Sequence, residues 1–129
     1  MRILWLAFAL FTTHGASAQD GLGDWHGVWN AAGTPFTLRL VQESADAQVS
    51  LEQIESLGFE WTAKRVRQED GMLLVDIDYA GVTGTVRVLR RDASSALASP
   101  LSCTPEYMVV CALSRGQRAL FVRLESAAD

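Results

Sequence analysis

Cysteine is nearly absent: Cys103 and Cys111 are the only two in 129 residues. Histidine is as scarce, with His26 alone beyond residue 18. A zinc site draws on about four such ligands, so no metal is expected, and nothing points to a cofactor. Basic residues are outnumbered, 11 against 15 acidic. That balance argues against nucleic acid or an anionic membrane as partner. Lysine occurs once, at Lys64. The longest apolar run, Ile3 to Phe11, is nine residues. Crossing a bilayer takes about 20, so stable membrane insertion is not expected. No Gly-x-Ser-x-Gly elbow is present among the serines. Gly81-Val82-Thr83-Gly84 is followed by no lysine and opens no helix, so it is not a phosphate loop. No internal repeat or low-complexity tract appears.

The N-terminus has a definite pattern. Arg2 precedes the nine-residue apolar run, and Ala16-Ser17-Ala18 has the small-x-small form of a signal-peptidase site. Residues 1–18 therefore read as a cleaved signal peptide, with the cut before Gln19. No cysteine follows the cut, so a lipoprotein anchor is not expected. The remaining chain, 19–129, is of single-domain length. A periplasmic or secreted location follows. In that oxidising setting Cys103 and Cys111 are expected to form a disulfide. The loop they close is short and is worth about 2–3 kcal/mol on the chain-entropy model.

Period-two alternation runs through residues 25–124 and marks half-buried strands. Trp25, Gly27 and Trp29 share one face; Phe36, Leu38 and Leu40 another. Val49 and Leu51 alternate, as do Phe59, Trp61 and Ala63. Leu73, Val75, Ile77 and Tyr79 follow, then Val82, Val86 and Val88. Tyr107, Val109, Cys111 and Leu113 form a seventh set. Leu120, Val122 and Leu124, alternating with Phe121 and Arg123, form the eighth. Asp70-Gly71 and Ala80-Gly81 are hairpin turns between them. Residues 92–105, with two prolines and four serines, read as an irregular loop. Residues 50–58 fit a strand that ends in a loop, or a short helix capped by Ser50 and Gln53; the strand is preferred. The tail 126–129 reads as frayed. Short links favour antiparallel neighbours. The expected fold is all-β: a small antiparallel up-and-down barrel of about eight strands, with a β-sandwich as the alternative.

Gly23-Asp24-Trp25 is a G-x-W at the start of the first strand. It resembles the opening of the lipocalin-type (calycin) barrels. The resemblance implies a tryptophan that plugs one barrel end, with a late-strand arginine, Arg118 or Arg123, across its ring. Residues 27–42, "GVWNAAGTPFTLRLVQ", together with "SLEQIESLG" and "LFVRLE", are loosely similar to the small β-domain that precedes some bacterial serine hydrolases. In those proteins the chemistry lies outside the β-domain.

Candidate chemistry is sparse. His26 lacks the partners that nucleophilic or acid–base catalysis requires and reads as structural. Asp76 and Asp78 share a strand face; such acids are mostly a solvated face, paired across the sheet, with Glu60 or Arg87 the expected partners. Lys64, Arg65 and Arg67, and then Arg87, Arg90 and Arg91, are basic patches on a solvated face. Trp25, Trp29 and Trp61, with Phe36 and Phe59, fall on the inward side, as core or as the walls of a small ligand site. The functional expectation is an exported, non-catalytic binding module. It would engage a protein partner, with inhibition one form of that, or hold a small apolar ligand. The partner would meet the loop through Ser99, Pro100, Pro105 and Tyr107. The alternatives are a small barrel hydrolase or isomerase using His26 with Asp76 or Asp78, and a structural component of a cell-envelope assembly.

Overall fold

A computed structural model describes residues 22–124. The leader expected at residues 1–18 and the frayed tail at 126–129 lie outside the described residues. Eight strands follow in order: β1 (Gly27–Ala31), β2 (Thr37–Val41), β3 (Ser50–Glu55), β4 (Trp61–Glu69), β5 (Met72–Tyr79), β6 (Val82–Asp92), β7 (Ser95–Thr104) and β8 (Ala119–Leu124). A six-residue helix, α1 (Val109–Ser114), lies between β7 and β8.

All strand pairs are antiparallel, in the order β3-β2-β1-β8-β7-β6-β5-β4. The first strand pairs with the last, Trp29 opposite Arg123, so the meander curls into a nearly closed barrel. The expected fold class holds, and the sandwich alternative falls. Two turns show why the chain folds back so tightly. Asp70-Gly71 joins β4 to β5, and Ala80-Gly81 joins β5 to β6. All four residues have positive φ, 50° and 78°, then 49° and 82°. That is the type I′ geometry whose twist matches the flanking strands.

The barrel stays open along one seam, between β3 and β4, which are consecutive in sequence yet share no ladder. Side chains bridge it at two points. Gln53 Nε2 donates to the Trp61 carbonyl at 2.9 Å. Gln42 Nε2 donates to Gln68 Oε1 at 2.9 Å.

The expected strand set needs two corrections. Residues 95–104, expected as loop, form β7. Pro100 is tolerated because β8 covers β7 only from Ser95 to Ala98. Beyond that point β7 is an edge on one side, and its pairing with β6 skips Leu101 at a bulge. Proline in a sheet belongs at such places. In place of the strand expected over residues 107–113, the chain forms α1 (Val109–Ser114). A short apolar run does not distinguish strand from helix by periodicity alone. Here Cys111, the buried residue of α1, is bonded to Cys103 of β7, which fixes the helix against the end of that strand. The expected disulfide is present. Residues 50–55 are strand and 56–58 turn, as preferred.

Candidate functional site

The lower barrel end is a floor of two indoles packed at a tilt of 43°. Trp25 precedes β1 and Trp29 lies within it; each is 2% exposed. Their ring centroids are 6.1 Å apart, and Trp29 Nε1 donates to the Trp25 carbonyl at 3.0 Å. Two guanidinium groups close the floor from below. Arg123 lies 4.6 Å from the Trp29 centroid. Arg90 lies 5.2 Å from that of Trp25 and 5.4 Å from that of Trp29. Each such contact is worth about 0.5–2 kcal/mol. Both arginines donate to the Asp24 carbonyl. Burial pulls both below the ordinary arginine value, and for Arg123 the neighbouring Arg90 charge adds to this. Arginine starts so high that both keep their charge.

Gln42 ties the floor to the rest of the barrel. Its side chain is fully buried. Oε1 accepts from the Trp25 amide at 3.2 Å, and Nε2 donates to Ala47 O at 3.1 Å and to Gln68. Its backbone N–H donates to His26 Nδ1 at 3.1 Å. Gly23 has a definite reason here: a Cβ added to it would land on the Gln42 side chain. The glycine of the G-x-W motif is thus where the chain runs against the buried amide.

Above the floor the interior holds a cavity of about 510 Å³ that opens to solvent at the upper end. Leu73, Val75, Ile77 and Tyr79 of β5 line one wall, and Ala96 and Ala98 of β7 another. Around the mouth Phe36 stacks on Trp61 at 6.0 Å, and Phe59 meets Tyr79 edge-on at 5.9 Å. Val110 and Ser114 of α1, with Gln117 and Arg118 after it, complete the rim. The disulfide therefore holds a helix at the rim of the cavity.

No family model, no curated protein and no solved structure matches this chain. What the barrel can do has to be read from its own residues.

Trp25, Trp29 and Trp61 all line the cavity, as does Phe36, and Phe59 stands half exposed at its mouth. The tryptophans are floor and wall together. Ser99 and Pro100 line the wall from β7 instead of presenting a loop. Pro105 follows β7, and Tyr107 is 84% exposed just before α1. Arg123 does lie on an indole, though on Trp29; the cation on Trp25 is Arg90, and Arg118 sits at the opposite end of the barrel. Arg90 was legible in principle. It shares strand parity with Val86 and Val88, which line the cavity, but sits in a run of arginines that reads as solvated surface.

His26 and the two aspartates are not brought together. β1 and β5 stand four places apart in the eight-stranded ring. Asp76 accepts from Thr85 at 2.8 Å and from Arg67 at 3.2 Å. Asp78 pairs with Lys64 at 2.8 Å and accepts from Thr83 at 3.1 Å. The expected partners Glu60 and Arg87 are replaced: Thr85 and Thr83 stand opposite the two acids on β6, while Arg67 and Lys64 reach them from β4 without being directly opposite. A bulge at Lys64 shifts the parity of β4.

Asp76 is held below the ordinary carboxylate range, chiefly by the Thr85 hydroxyl and further by Arg67, against a desolvation that works the other way. A depressed carboxyl stabilises the fold above about pH 4, and that contribution is lost as pH falls through its folded value. Asp76→Asn should melt roughly 5 °C lower at pH 7 or less, because the pair is partly solvated. The gap to wild type should close below about pH 4. A gap that persists unchanged into acid would show that charge is not the cause.

Proposed function

We propose that the chain is an exported, non-catalytic binding protein that holds one small apolar ligand inside its barrel. The observation that carries this reading is the cavity of about 510 Å³, walled by aliphatic and aromatic side chains and open at one end. Ligand sites commonly fall at about 300–1,000 Å³, are mostly apolar and occur in barrel mouths. Export agrees with the leader pattern at residues 1–18 and with the Cys103–Cys111 bond. The protein-partner reading has less support, because Ser99 and Pro100 are wall residues. The enzymatic reading would have to join His26 to carboxylates on a strand across the barrel. The floor of tryptophan over arginine also parallels the lipocalin-type resemblance in kind, although the ring under which Arg123 lies is Trp29 and the G-x-W tryptophan, Trp25, rests on Arg90.

The test is the neutral dye N-phenyl-1-naphthylamine, whose fluorescence rises in apolar surroundings. Wild type should enhance it saturably. Ala98→Phe places a ring in the cavity and should reduce that enhancement at least tenfold, with the far-ultraviolet spectrum unchanged. Val86→Phe, from the neighbouring strand, should do the same and covers the case in which the first variant misfolds. Enhancement that survives both substitutions in folded protein would place the dye elsewhere and defeat the proposal.

A further inference from the structure

The lining of the cavity is uneven in a way that specifies a ligand chemistry. Resting on the apolar-ligand reading above, we infer that the ligand is a single-chain amphiphile with an anionic head, its tail on the indole floor and its head at Arg118. Arg118 is the one charged residue in the lining. It is exposed, in the segment between α1 and β8. Among the described residues it forms no ion pair. The two arginines set against the indoles, Arg90 and Arg123, lie under the floor and donate to the Asp24 carbonyl.

Polar groups follow the same gradient. Ser114 and Gln117 stand beside Arg118 at the rim, with Ser99 on the adjoining wall. Ser99 and Gln117 can donate to an oxyanion, whereas the Ser114 hydroxyl donates to the Cys111 carbonyl. No carboxylate lines the cavity; the acids near the rim in sequence, Glu60 and Glu106, are exposed and lie outside it. In a chain with an excess of acidic residues, a mouth whose sole lining charge is positive selects the sign of the head. Inverting the ligand would put its charge against Trp29 and Leu73, where burial of an unpaired charge is strongly disfavoured.

The depth sets the tail. Leu73 to Tyr79 is seven residues of β5, and the six steps between them at ~3.3 Å each give about 20 Å of strand. The tilt of barrel strands shortens this to roughly 15 Å along the axis. A zigzag hydrocarbon advances about 1.3 Å per bond, which gives a chain of about ten to twelve carbons. The cavity volume admits one such chain, which points away from two-tailed lipids.

Displacement of N-phenyl-1-naphthylamine by ten-carbon decanoate, decanol and decylamine provides the experiment, in wild type, Arg118→Gln and Arg118→Glu. Wild type should release the dye at five- to tenfold lower decanoate than decanol, with decylamine the weakest. Arg118→Gln should bring decanoate level with decanol, and Arg118→Glu should favour decylamine over decanoate. Equal displacement by all three in wild type, or an unchanged order in both variants, overturns the inference while the apolar-ligand reading stands. If wild type neither enhances the dye nor shows tryptophan quenching by any of the three, both readings fall.

Discussion

Replacing Gln42 with alanine should cost about 3–5 kcal/mol, a larger loss than most surface substitutions by an order of magnitude. The buried amide satisfies three groups on three separate segments: the Trp25 N–H, the Ala47 carbonyl and the Gln68 amide. Leaving the buried Trp25 N–H without a partner costs about 1–3 kcal/mol, and truncating a fully buried side chain adds a packing loss. Ala47 is half-buried and Gln68 exposed, so both can turn to water. A water entering the space would recover part of this. With one kcal/mol worth roughly 4–5 °C in a domain of this size, the melting temperature should fall by about 15 °C. Gln42→Glu separates the bonds. It keeps an acceptor for the Trp25 N–H but cannot donate to Ala47 or Gln68 when ionised, and should lose nearly as much. Denaturant titration of both variants is the measurement. A loss below about 1 kcal/mol for the alanine variant would mean that the floor does not depend on this amide.

The role of Gln42 was not legible in the sequence, and the reason is physical. Alternation reports which face of a strand meets the core, and it read β2 and β5 correctly because those strands are regular where the apolar residues lie. It cannot report a polar side chain whose partners come from three distant segments. Bulges are a second blind spot. The pairing of β2 with β3 skips Ile54, leaving that residue 50% exposed, and the pairing of β6 with β7 skips Leu101, 55% exposed. One extra residue turns an apolar side chain outward, and no local pattern announces it. The eight-strand expectation reached the right number while one member was wrong. The strand expected at residues 107–113 gives way to a turn and the helix α1 (Val109–Ser114), and the loop expected at 92–105 supplies β7. Serine and proline misled there because an edge beyond Ala98 accepts a proline that an internal strand would reject.

The barrel also shows how little of its closure relies on strand pairing at one place. Between β3 and β4 the wall is held by Gln53 and Gln42 side chains. Elsewhere each strand is bonded to its neighbours along a ladder. The seam runs from the mouth, near Trp61, to the floor, near Gln68. Loss of Gln42 would therefore loosen the seam and the floor together, which is why its expected effect exceeds that of a single hydrogen bond.

Trp29→Ala should be as damaging, by about 3–5 kcal/mol, for a different reason. Truncating a buried indole removes transfer energy and leaves a cavity. It also removes the ring on which Arg123 rests, stranding a half-buried cation. Trp29→Phe should restore most of the volume but still lack the bond to the Trp25 carbonyl, and should lose about 1–2 kcal/mol. Trp61 supplies the contrast. It lines the same cavity, yet its indole N–H is buried without an acceptor among the described residues. Trp61→Phe removes an unsatisfied donor and keeps an aromatic ring against Phe36, so its cost should stay within about 1 kcal/mol. The ordering decides the matter: the floor tryptophan should be the more costly to change by either route. Equal losses for Trp29→Phe and Trp61→Phe in denaturant titrations would show that ring volume alone, and not the hydrogen bond and cation beneath it, determines what each indole contributes.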